Sequence, residues 1–289
     1  MSAFRKEVHD VKSPLCCRRL RLALTILHTH RKGAVRNIRA YRAALPESLP
    51  VYTSADALFH AVDDKNLGLD AVIIATPHRL HEEQSISAMK RGLHVLCDKP
   101  AGIYSRQARL MEEARPEDLV CAYIFHQRTY PSYQHIRRII QSGELGGLKR
   151  MNWTVTDWYR SNAYYQSSSW RGTWKLDGVR ICRLDRPEKE YRTTLGDNFE
   201  MPAGTWDGFP MKTEPDAYQK ILQNFAAAIN SGNREGLTAP WEEARKSLLI
   251  SNAIYLSSWK GETIGIPVPG SDEELEFEKD FENHWNLEI

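Results

Sequence analysis

One stretch, Leu69 to Pro100, limits what this chain can fold into. Asp70 to Ala75 is short, rich in branched residues and apolar on both faces, the pattern of a strand buried inside a parallel sheet. Thr76-Pro77 stops it. Leu80 to Arg91 carries helix-forming residues and ends at Gly92, a stop signal. His94 to Cys97 reads as a second short strand. It must leave the sheet at Asp98-Lys99-Pro100, because proline lacks the N–H that a ladder needs. Strand, helix and strand in this order predict a β-α-β unit and an α/β fold with a parallel sheet. Thr76-Pro77 and Asp98-Lys99-Pro100 both fall at the carboxyl ends of their strands, where open α/β sheets bind ligands.

The residues at those two ends are specific. Ala75-Thr76-Pro77, then His81, then Cys97-Asp98-Lys99-Pro100 resembles the family of glucose-fructose oxidoreductase, inositol 2-dehydrogenase and rhizopine catabolism protein, the Gfo/Idh/MocA family. The family writes the second motif Glu-Lys-Pro, so Asp98 is a one-methylene variant. The resemblance continues through Gln127-Arg128, Ser142-Gly143-Glu144-Leu145-Gly146 and Trp170-Arg171-Gly172-Thr173-Trp174. It covers Ala44 to Lys175, then resumes near Leu184 and runs to Pro267.

The resemblance implies a Rossmann-like dinucleotide-binding domain followed by an α+β domain. It implies NAD or NADP as cofactor and hydride transfer at a sugar or cyclitol hydroxyl or ketone. Lys99 is then the catalytic residue. Thr76, Pro77, His81, Asp98, Lys99, Gln127 and Arg128 line the cofactor, and Trp170 and Arg171 face the substrate. Asp98 would contact the nicotinamide ribose; read alone, it equally pairs with Lys99. His126 stands where the family often has Asn, and reads either as a replacement base or as a structural histidine at a strand end.

Two parts of that pattern are missing. A nucleotide-binding fold runs its first strand into Gly-x-Gly-x-x-Gly, so that the pyrophosphate can approach the helix N-terminus closely. Here Gly33 is the only glycine before Gly68, and no Asp or Glu stands between Asp10 and Glu47 to hold the ribose. Instead, Leu20, Leu24 and Leu27 share one helical face, as do Ala34, Ile38 and Tyr41, which suits two basic amphipathic helices. The composition of this stretch also suits an out-of-frame or replaced start. Further on, the family's helix with a catalytic His has no counterpart, since no histidine stands between His135 and His284. The incomplete pattern predicts impaired cofactor binding. The alternative is a non-catalytic remnant or assembly partner that keeps the fold.

The rest of the chain divides into a basic segment (1–45), the Rossmann-like domain (46–146), a shortened α+β domain (147–270) and an acidic tail (271–289). Val51 to Thr53 reads as a short strand, and Ser105 as the N-cap of a helix to Ala114. Leu119 to Phe125 reads as a strand. Pro131 opens a helix to Ser142 whose buried face is Tyr133, Ile136 and Ile140. Leu148 to Trp158, Val179 to Leu184 and Ile264 to Val268 read as strands of the second domain. Tyr218, Ile221, Leu222, Phe225 and Ile229 make one helical face, and Pro240 with Glu242-Glu243 opens another helix. From Ser271 a frayed tail is expected.

A net charge of +2 gives no reason to expect a nucleic-acid or membrane partner. That average hides a split of +9 over residues 1–45 against −7 over the remainder. The five cysteines lack metal spacing, and His28-x-His30 has no further ligands beside it, so no metal is expected. With no secretory signal read, reduced thiols and a cytoplasmic location are expected. A second domain with so few strands leaves sheet edges open, so a homo-oligomer is expected.

Overall fold

Every side chain of Ala71–Ile74 is fully buried, so this run packs on both of its faces. A computed structural model places it second in a four-stranded sheet and describes residues 22–25, 50, 52–144, 146–147, 171, 173 and 216–288. The strands are β1 (Leu22–Thr25), β2 (Ala71–Ile74), β3 (His94–Asp98) and β4 (Cys121–Ile124). They lie in the order β1-β2-β3-β4, all parallel, with Leu22 opposite Ala71, Ala71 opposite His94 and Val95 opposite Cys121. The helices among the described residues are α1 (Ala55–Asp63), α2 (His81–Met89), α3 (Ser105–Glu113), α4 (Pro131–Ser142), α5 (Ala217–Ser231), α6 (Glu243–Lys260) and α7 (Asp272–Glu288).

Alternation along each strand divides the core in two. Val72, Ile74, Val95, Cys97, Cys121 and Tyr123 point to one face, where they meet Phe59 of α1, Met89 of α2, Met111 of α3 and Leu248 of α6. Ala71, Ile73, Leu96, Ala122 and Ile124 point to the other, where Ile221, Leu222 and Phe225 of α5 cover them. Helices on both faces explain why the strands are continuously apolar.

The fold corrects several expectations. First, Leu22–Thr25 is a strand, at the edge of the sheet among the described residues, and not a helix turn: its parallel partner β2 supplies the ladder that a local helical pattern cannot foresee. Second, α5 and α6 do not cover a separate second domain. They close the two faces of the Rossmann-like sheet, and the segment between them closes its edge. There Tyr123 N donates to Ala239 O at 3.0 Å, and Trp241 stacks on Tyr123 with centroids 4.3 Å apart. This covers the β4 edge of the sheet. Third, the acidic tail is the helix α7. Phe277, Phe281 and Trp285 are buried against Leu249, Ala253 and Leu256 of α6 and against Ile103. The two most buried of its ion pairs fasten it, Arg109 to Glu278 at 2.8 Å and Arg245 to Glu274. Fourth, Ile264 to Val268 forms no strand, and Ile136 and Ile140 are exposed on α4.

Tyr52 and Thr53 are not in a strand. The expected strands Leu148 to Trp158 and Val179 to Leu184 lie outside the described residues, as does the chain before Leu22. The N-terminus of α3 is capped differently from expectation. Ser105 is inside the helix, and its backbone N–H donates to Asn252 Oδ1 of α6 at 2.7 Å.

Candidate active site

β2, β3 and β4 end side by side, so the loops that leave them converge on one corner. After β2 come Thr76 and Pro77, both buried. The Thr76 hydroxyl donates to Gln84 Oε1 at 3.2 Å. A 3₁₀ turn, His78–Leu80, then leads into α2. At the end of β3, Asp98 is half-buried and its Oδ1 accepts the Lys99 backbone N–H at 2.9 Å. That contact turns the chain and leaves the Lys99 side chain exposed at the sheet end. The Lys99-Pro100 peptide bond is cis. After β4, a second 3₁₀ turn, His126–Thr129, is closed by the Thr129 hydroxyl donating to His126 O at 2.7 Å.

The charges in this corner act on one another. Burial pushes the Asp98 carboxyl up, while the Lys99, His81 and His126 charges pull it down. Burial, then the Lys99 charge, pushes the His126 imidazole down, so it is neutral near pH 7. The His126 ring lies flat against the Tyr218 ring of α5, centroids 5.2 Å apart and planes 17° apart, with the Tyr130 ring on its edge at 6.1 Å. Burial and the Asp98 charge both raise the Tyr218 phenol. The corner thus holds a carboxylate, an ammonium, a neutral imidazole and a phenol, the kinds of group that move protons.

Of the residues expected from the sequence, Thr76, Pro77, Asp98 and Lys99 stand at this corner and Gln127 lies exposed beside it. His81 is corrected. It is completely buried, and both ring nitrogens face main-chain carbonyls, so it has no atom left for a ligand. Arg128 lies in the same turn as Gln127. Its guanidinium reaches Thr238 O and Glu243 Oε2, both at 3.3 Å, and lies over the Phe125 ring at 4.9 Å. It ties the end of β4 to the start of α6. Arg171 is partly buried, and Trp170 lies outside the described residues. Tyr218 was not foreseen as part of the site. Its place on the apolar face of α5 reads as packing, and only the tertiary fold lays that helix against His126. Among the described residues no cluster of His, Cys, Asp and Glu could hold a metal ion, and no helix is long and apolar enough to cross a membrane.

Comparison with known proteins agrees with the fold. Residues 22–125 match the family described as "Oxidoreductase family, NAD-binding Rossmann fold" (GFO_IDH_MocA). D-glucoside 3-dehydrogenase of Escherichia coli K12 is 38% identical over 80 residues, which are 27% of this chain and 23% of that protein. Inositol 2-dehydrogenase of Corynebacterium glutamicum is 35% identical over 82 residues, 28% of this chain and 24% of that protein. The chain therefore matches about a quarter of the length of these relatives. The WlbA dehydrogenase of Bordetella pertussis, solved with NADH and UDP-GlcNAcA, superposes with a TM-score of 0.59 at 17% identity. That likeness covers 88% of this chain and all of the other, and it is one of fold.

Proposed function

Residues 22–125 are an NAD-binding Rossmann segment of the Gfo/Idh/MocA oxidoreductase family, and on that premise we propose that the chain is an NAD(P)-linked oxidoreductase of weakened cofactor affinity, acting at a sugar or cyclitol hydroxyl or ketone. The observation that carries this reading is the convergence of Thr76-Pro77, Asp98-Lys99 and His126 at adjacent strand ends, with Tyr218 stacked on the last of them.

The residues fit one half of a dinucleotide. Asp98, held by the Lys99 N–H, offers a carboxylate to ribose hydroxyls, and Thr76-Pro77 offers a wall. They fit the other half poorly. β1 runs into Ile26-Leu27-His28-Thr29-His30, where a phosphate-binding turn needs glycines for close backbone approach. When bound, the nicotinamide would accept or supply the hydride. The chain's own part is the proton. As the free amine Lys99 Nζ would take it from the substrate hydroxyl, and as the ammonium it would return it to a ketone. His126, neutral and close enough to feel the Lys99 charge, gives the proton a second acceptor where the family's histidine has no counterpart. A sugar or cyclitol substrate belongs to this reading and comes from the resemblance, and a homo-oligomeric state belongs to it from the few strands read in residues 147–270.

Turnover of NAD- or NADP-linked polyol and sugar oxidation by the full chain, with Lys99→Met alongside, tests the assignment. Turnover that survives Lys99→Met unchanged contradicts it.

A further inference from the structure

His81 is the first residue of α2 and sits between the two motif segments with none of its surface exposed. Its Nδ1 lies 2.8 Å from the Pro100 carbonyl oxygen, and its Nε2 lies 2.8 Å from the Thr76 carbonyl oxygen. A carbonyl oxygen can only accept. A neutral imidazole carries a single N–H, so it satisfies one of the two and turns a lone pair toward the other. An imidazolium donates to both.

The charged and titratable neighbours come from two elements. Asp98, at the end of β3, favours the charged ring, and Lys99 beside it opposes it. The His78 ring, in the turn before α2, lies 5.7 Å away and tilted. Burial is the largest influence and holds the imidazole below its ordinary range, while the two carbonyls favour the charged ring.

We propose that His81 is a positioning residue that closes the site on the acid side of neutrality, as an imidazolium counter-charged by Asp98, so that one proton then ties the Thr76-Pro77 turn to the Asp98-Lys99-Pro100 turn. Loss of that proton to solvent leaves one N–H for two carbonyls, and one of the two contacts opens. Lys99 directly precedes Pro100, so its placement follows the state of this clasp. The consequence for chemistry rests on the proposed role of Lys99. The clasp itself does not, and its test uses no cofactor and reads no turnover.

The test is nuclear magnetic resonance of the full chain with 15N-labelled histidine and 13C-labelled aspartate, titrated over about pH 5 to 8, the span in which histidine changes charge. Each ring nitrogen reports its own proton. The clasp predicts that on the acid side both His81 nitrogens are protonated, and that one proton leaves in a step shared with the Asp98 carboxyl resonance, as coupled sites must show. A single N–H tautomer across the whole range overturns it. In His81→Gln the shared step should vanish from the Asp98 curve; an Asp98 curve that does not change overturns the coupling. If His81→Gln does not fold, the spectrum of the natural chain still decides.

Discussion

Replacing Glu274 by Gln tests how α7 is held. Glu274 is completely buried and its two oxygens accept from Nε and Nη2 of Arg245, whose side chain is 9% exposed. Glu274 Oε2 also accepts the Gly270 N–H at 2.7 Å, just before the helix begins. The substitution keeps the shape and removes the charge. Arg245 is then left with Glu112, 3.3 Å from Nη1 and itself partly exposed. Breaking a buried pair from one side costs about 3–5 kcal/mol, because the remaining charge is buried unpaired. Glu112 moderates this, so we expect about 3 kcal/mol, a large share of the roughly 5–15 kcal/mol that holds a typical domain. Denaturant unfolding should show the midpoint fall, and proteolysis should begin to cut between α6 and α7. Glu282→Gln is the internal control. Its partner Arg106 is 46% exposed, so the pair is worth at most about 1 kcal/mol. Arg245→Met combined with Glu274→Leu should regain much of the loss, since an apolar pair of similar volume replaces the charges. A loss below about 0.5 kcal/mol for Glu274→Gln, within the range of ordinary surface changes, would refute the docking of α7 through this pair.

The same geometry gives three further outcomes. Lys99→Met should lower any turnover by about 10²–10⁴, the worth of a positioned proton-transfer group, with the circular dichroism spectrum unchanged. Gly102→Ala should destabilise by about 1–3 kcal/mol in urea, because the new Cβ would lie 2.7 Å from Gln107 Oε1 and displace it from the Ile103 N–H. Asp63→Asn should flatten the acid limb of the stability curve. Two hydrogen bonds from Arg91 hold the Asp63 carboxyl below its ordinary 3.8, so its contribution is present above that value and is lost as pH falls through the lowered one. Urea midpoints measured from neutral to acid pH check this.

The β-α-β unit was legible because its signal is local: an apolar run, Gly92, and prolines that end strands. The ion pairs and stacks that finish the site are not local. Leu22–Thr25 is a strand only because β2 lies beside it, and in its own basic surroundings its leucines mimic a helical face. The tail looked frayed because acids dominate its composition. The spacing of Phe277, Phe281 and Trp285, four residues apart, is the stripe that makes α7 dock, and it was there to be read. Arg128 and His81 carry the right letters for a cofactor site, yet the fold uses one to fasten α6 and the other to join two turns. A motif letter names a residue, and only packing decides which way its polar atoms face.

The central claim is that the chain keeps the nicotinamide corner of a Rossmann site without the glycine turn that grips the pyrophosphate. Each lost charge-assisted contact is worth about 1.5–3 kcal/mol, so losing two or more removes about two to four decades of affinity. Calorimetric titration of the full chain with NAD and with NADP measures this directly. No saturable binding in the micromolar range is expected for either. A micromolar complex would contradict the claim, and would mean that the segment from Cys16 to Gly33 cradles phosphate in a way its sequence does not announce.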